Sequence, residues 1–299
     1  MSKLFKEITS QHNVVAKHWI ALREKKQYRL DHKSVLVQGA KTIRELHKQG
    51  CKITSLAITT SRKDPEMKQP GLSVFQDPSL LPAEKYYLAD VNVVRRALGT
   101  SSKPAKHDVF AEIPIPEKTE QEVFKQDRLL VFDKITDPGN LGTLVRTAKA
   151  LGWHAGVNAS GTCDLYNDKT VRASRGLTVV WPHVAYPNMR IILNHLREQN
   201  YTPLVADMLP KDTKSSDLWS PEYNTLEPGK GVWFWNFQNG PFKEVPKRVA
   251  LILSSEHHGV GELLDKEIKV SLPMYPGVES LNVANAGSII MSELNRSMF

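Results

Sequence analysis

The chain has 299 residues, 40% of them hydrophobic and 24% charged, proportions of a folded globular protein long enough for one large or two medium domains. No apolar run approaches the ~20 residues that span a bilayer, so a membrane partner is not expected. The two cysteines, Cys51 and Cys163, exclude a disulfide framework and a cysteine-based metal site. They fit a reducing intracellular compartment, and with no apolar signal near Met1 the choice lies between cytoplasmic and mitochondrial or other organellar.

The formal charge is +8, and residues 1–48 hold eleven Lys/Arg against four Asp/Glu. A basic module of this kind suits a polyanion such as RNA, or forms a solvated basic face. Leu4, Ile8, Val14, Val15, Trp19 and Leu22 recur at roughly helical spacing, which predicts a helical start. Ser34 to Val37 reads as a strand, Ala40 to Gln49 as a helix stopped by Gly50, and Ile53 to Thr59 as a second strand. Residues 62–82 carry four prolines and read as a loop excursion. The Pro-rich polar stretch from Ser101 to Glu117 marks the join between domains. The expected division is a basic N-terminal domain at 1–105, a linker at 106–127 and a larger C-terminal domain at 128–299.

Beyond the join the texture changes. Leu129 to Phe132 is a continuous apolar run of the kind buried in a parallel sheet. A helix follows, then strands at Ala155 to Asn158 and Val179 to Trp181, a helix at Ile191 to Gln199, and strands at Pro203 to Ala206 and Val249 to Leu253. Alternating strands and helices predict an α/β fold with a mainly parallel sheet and flanking helices, preceded by a smaller α/β domain. The aromatic run GKGVWFWNFQNG, Gly229 to Gly240, reads as a hairpin packed on the core. Neither a Gly-x-Gly-x-x-Gly fingerprint after a strand nor a phosphate-binding P-loop is present.

Three stretches carry chemistry. In DKITDPGNLGTLVRTAKALG, Asp133 to Gly152, Asn140 reads as a helix N-cap and Arg146 lies in the following helix. In LILSSEHHGVG, Leu251 to Gly261, a buried strand runs into a polar loop at its carboxyl end, where open α/β sheets bind ligands. Glu256 is either catalytic or a cap there, and no further spacing turns His257 and His258 into a metal site. In SLPMYPGVESLNVANAGSIIMSEL, Ser271 to Leu294, Ser280 and Asn282 stand at the entry of an apolar-striped helix and read as caps or as site residues. Taken singly, these stretches leave function open.

In this order, with CDLYNDKTVRASRG between the first and second, they resemble the SpoU/TrmH family of RNA 2′-O-ribose methyltransferases from Arg128 to the end. The N-terminal part, around VQGAKTIREL, is similar to the substrate-binding domain that often precedes the family's catalytic domain, with Gln38 at a usually acidic position. The resemblance implies a trefoil-knotted C-terminal domain, S-adenosylmethionine as cofactor, and a dimer, with an identical or a related subunit. It implies catalytic roles for Asn140, Arg146, Glu256, Ser280 and Asn282, and cofactor contacts from Ser254, Gly259, Leu272, Met274 and Leu281, with no metal. The implied partner is structured RNA, rRNA before tRNA, with ribosomal assembly intermediates a further expectation. Ser254, His257 and Pro276 stand where the family usually has glycine, and Asn285 where it has an apolar residue. These departures raise the alternative of a catalytically silent, RNA-binding ribosome-assembly factor.

Overall fold

The computed structural model describes residues 4–60, 73–101, 104, 108–210, 213–255 and 261–298. They form two compact units, one of Met1–Glu117 with Asp164–Val180, the other of Lys118–Cys163 with Trp181–Phe299.

The first unit is built on strands β1 (Phe5–Ile8), β2 (Ser34–Gln38), β3 (Ser55–Thr60), β4 (Lys85–Asp90) and β5 (Val109–Pro114), in the sheet order β1-β4-β3-β5-β2. β1, β4 and β3 are parallel, while β5 runs antiparallel to β3 and β2. Side chains alternate across a strand, so each strand serves two cores. Val35 and Val37 join Ile43, Leu46 and Ile58 on one face, where Val171 and Val179 of the returning segment also pack. Leu36 and Phe110 join Trp19, Leu22 and Val94 on the other. The helical start is corrected: Phe5–Ile8 is a strand, and helices follow at Val14–Glu24 and Lys26–His32. The 106–127 linker is corrected as well, because β5 lies in mid-sheet and a capping box at Thr119 and Glu122 opens a helix over Glu120–Phe124.

The second unit has strands β6 (Arg128–Asp133), β7 (Ala155–Ala159), β8 (His183–Tyr186), β9 (Thr202–Ala206), β10 (Trp233–Trp235), β11 (Val249–Ser254) and β12 (Ile268–Ser271). Their order is β10-β12-β9-β11-β6-β7-β8, parallel throughout except for β10 against β12. The α/β fold and mainly parallel sheet thus match the expectation. The apolar runs of β6 and β11 are central neighbours, in register from Arg128↔Val249 to Asp133↔Ser254, and helices cover both faces. The helix Val283–Met298 is tied down by Asn295, which donates to the Leu151 carbonyl (2.6 Å) and accepts from Trp153 Nε1 (3.0 Å) and Arg128 (2.5 Å). Two local readings are corrected. Leu177–Val180 is helical rather than a strand. The aromatic run forms no hairpin: Trp233–Trp235 is an edge strand on β12, although Trp233 and Phe234 are buried as expected. No described helix is long and apolar enough to cross a membrane.

Candidate active site

Strands β9, β11 and β12 end together in the second unit, beside the start of the helix Val283–Met298. A cavity of about 330 Å³ opens there, within the size range of small-molecule sites. Five sequence-expected residues line it: Ser254, Leu272, Met274, Ser280 and Leu281. Ser254 ends β11 opposite Asp133 and donates its hydroxyl to the Asp133 carboxylate (3.1 Å). The next backbone amide, Ser255, donates to the Asp133 carbonyl (3.1 Å), so the buried Asp133 holds the turn into the loop.

The helix Pro138–Ala150 supplies the second cluster. Its N-cap is Asp137, whose carboxylate accepts the Asn140 N–H at 2.7 Å, with Pro138 leading the first turn. The expected capping role of Asn140 is therefore corrected. Its side chain, relieved of that duty, accepts a hydrogen bond from Asn282 Nδ2 at 3.1 Å. Asn282 in turn caps its own helix, accepting the Ala284 N–H at 3.0 Å. Arg146 is exposed, further along the same helix as Asn140, and is not part of the cavity lining. Glu256, His257 and Gly259 lie outside the described residues.

Asp207 was missed by sequence reasoning. It follows β9 at its carboxyl end and lines the cavity. Its side chain accepts the Met208 N–H (2.8 Å) and its carbonyl accepts the Ser271 hydroxyl (2.7 Å). Buried Lys269 places its ammonium 3.7 Å from the Asp207 carboxylate. Burial pushes the Lys269 pKa down, and the charge of Asp207 opposes that shift without cancelling it. Its only sequence signal was its place just beyond a parallel strand, where ligands bind, and that place does not by itself tell a ligand-facing carboxylate from a loop one. The cavity lining combines apolar residues such as Leu253, Val283 and Ile290 with two acidic ones, Asp207 and Glu279. That combination suits a flat apolar group that carries positive charge.

Residues 127–292 match the model of the SpoU rRNA Methylase family. The chain is 27% identical over 294 residues to the 23S rRNA (guanosine(2553)-2'-O)-methyltransferase RlmP of Bacillus subtilis, covering 97% of this chain and 99% of that protein. It is 25% identical over 297 residues to the 23S rRNA (uridine(2479)-2'-O)-methyltransferase of Streptomyces viridochromogenes, covering 97% and 92%. Among solved structures, the AdoMet-bound rRNA methyltransferase from Sinorhizobium meliloti shares the fold, with a TM-score of 0.72, 20% identity and 99% of each chain covered.

Proposed function

The chain belongs to the SpoU rRNA methylase family, and on that premise we propose that it transfers a methyl group from S-adenosylmethionine to a ribose 2′-hydroxyl of ribosomal RNA. The observation that carries this reading is the open cavity at the strand ends, lined by Ser254, Leu272, Met274, Ser280 and Leu281. The apolar lining fits an adenosyl group, and Glu279, with Asp207 beside the Lys269 ammonium, supplies carboxylates for the cationic end of the molecule. When bound, S-adenosylmethionine supplies an electrophilic methyl group on a positively charged sulfur.

The protein's part is to place the ribose oxygen in line with that methyl and to favour its deprotonated form. An arginine is effectively always protonated and is a poor base. Arg146 therefore stabilises the alkoxide that develops as the 2′-hydroxyl proton passes to solvent water, while Asn140, Ser280 and Asn282 orient the ribose. The Asn140–Asn282 contact supports this, because it joins two of those groups. Glu256 belongs to the same assignment by resemblance. We read the C-terminal passage as the family's trefoil knot, supported by β11 sitting between β6 and β9 while β12 returns beyond β9. We also read the protein as a dimer. Tyr275 is 71% exposed and Ile289 43%, apolar surface near the cavity that a second subunit would cover.

Titration calorimetry with S-adenosylmethionine and mapping of methylated riboses in rRNA from cells with and without the protein test the proposal. Measurable cofactor affinity and loss of one ribose methylation are expected. No affinity into the millimolar range would leave only the silent assembly factor.

A further inference from the structure

The first unit contains a cavity of its own, of about 110 Å³, lined by Arg23, Arg172 and Arg175 together with Gln38 and Thr42. Three arginines meet one carboxylate, Asp168, in this lining, and Arg172 and Arg175 are exposed, so the cavity opens to solvent with an excess of positive charge. The chain seats Arg23 there by a backbone device. Gly99 ends the helix Val91–Leu98 with φ +61, and a Cβ on it would lie 2.2 Å from Arg23 Nη1. A left-handed glycine thus lets the guanidinium lie against the main chain.

The neighbouring acids leave this cluster only partly neutralised. Glu24 takes one Arg23 nitrogen at 2.6 Å, Asp168 takes Arg172 at 3.2 Å, and Asp108 takes the Gln38 amide at 2.5 Å. Arg23 Nε is buried with no hydrogen-bond partner among the described residues, a donor the protein itself does not satisfy. Arg175 is exposed, in a left-handed conformation at φ 52. The helix Ala40–Lys48 begins beside Gln38 and Thr42 with no side chain capping its first amides. Open helix amides and arginine forks are both phosphate-binding groups. Across Gly99 a second groove, of about 420 Å³, is lined by Arg95, Arg96, Asn92 and Thr100.

We propose that the Arg23–Arg172–Arg175 cavity seats a backbone phosphate of RNA, and that the Arg95–Arg96 groove carries phosphates next along the strand. The inference rests on RNA as the substrate and adds where its backbone is gripped. Recognition of this kind is independent of base sequence and weakens as salt competes for the phosphates.

The test measures binding of a fluorescein-labelled RNA hairpin to the full chain across a KCl series, for wild type, Arg175→Asn, Arg172→Gln and Lys125→Asn as a control in the other unit. Asparagine tolerates the left-handed backbone at position 175, so that variant keeps its fold. The slope of log affinity against log salt should fall by about one for each arginine variant, and the affinity loss should be the same for hairpins of unrelated sequence. The control should keep the wild-type slope. Wild-type slopes in both arginine variants would overturn the phosphate site while leaving RNA as substrate. A wild-type protein with no salt-dependent RNA affinity would overturn both.

Discussion

Asn282 donates its side-chain amide to the Asn140 carbonyl oxygen across 3.1 Å, joining the first turns of two helices that are 142 residues apart in sequence. The two partners differ in what else they do. Asn140 has no capping duty, because Asp137 performs it, whereas Asn282 caps the C-terminal helix. Asn140→Ala should therefore lower kcat/KM with little change in melting temperature. Asn282→Ala should lower it comparably and also cost about 1 kcal/mol of stability, the usual worth of an N-cap. Kinetics and thermal melts on both variants, and on the double variant, read these effects, and the double should lose less activity than the sum of the singles.

Arg146→Ala should reduce turnover by about 10²–10³-fold, as loss of a charge-stabilising donor does, while leaving RNA affinity nearly intact. Arg146→Lys should not restore the rate, because lysine lacks the planar fork. Single-turnover methylation at saturating cofactor measures both, and wild-type rates in the alanine variant would end the assignment.

Asp207→Asn tests whether the cavity reads charge. A partly exposed ion pair contributes up to about 1 kcal/mol, a factor of about five in affinity. Binding of S-adenosylmethionine should weaken by about that factor, with a smaller loss for S-adenosylhomocysteine, whose sulfur is neutral. Calorimetry with both ligands separates the two, and equal losses would remove Asp207 from charge recognition.

Glu112 links the first unit to pH. Burial alone would raise its pKa, but hydrogen bonds and charge from His18, with hydrogen bonds from Ser55 and Ser34, outweigh burial and hold it below the usual carboxylate value. His18 Nε2 lies 3.0 Å from one carboxylate oxygen, and Ser55 donates to the other at 3.1 Å. A carboxyl with a depressed folded pKa contributes stability that is present above its unfolded pKa and lost as pH falls through the folded one. Denaturant unfolding of wild type should therefore weaken on acidification below the ordinary Glu range. Glu112→Gln should be less stable at neutral pH and less sensitive to that acidification.

Gly156 on β7 lies under Trp181. A Cβ there would come within 2.1 Å of the Trp181 ring and 2.8 Å of the Leu130 carbonyl oxygen. One contact is a fully buried indole and the other is backbone, so neither moves cheaply. Gly156→Ala should cost about 1–3 kcal/mol, the range for overpacking a core. Thermal melts of the full chain read this as a lower transition temperature.

The most legible elements in the sequence were those buried on both faces. Leu129 to Phe132 and Val249 to Leu253 admit no reading but central strands. β5 was hidden because Pro104, Pro114 and Pro116 bracket it, yet Val109, Ala111 and Ile113 alternate with Phe110 as a strand's two faces require. Val179 lies in a β-branched neighbourhood that resembles a strand, but its burial beside Ile43 and Leu46 is a tertiary effect that no local pattern contains. At the candidate site, resemblance marked the cavity residues Ser254 and Leu272, while Asp207 escaped because nothing local distinguishes a ligand-facing carboxylate from a loop one. Asp137 and Asn140 are both cap-forming residue types. Pro138, which favours the first helical position, decides for Asp137.

The order in which this chain leaves the ribosome carries a consequence. Val171 and Val179 close the same core as Val35 and Ile43, yet they are synthesised only after β6 and β7 of the other unit. A nascent polypeptide ending near Glu117 has made all five strands of its first sheet and still exposes the oily patch those two valines seal. Expression of residues 1–117 alone should therefore give a sticky, poorly soluble product. The natural chain must wait, holding that patch open, until residue 180 has emerged.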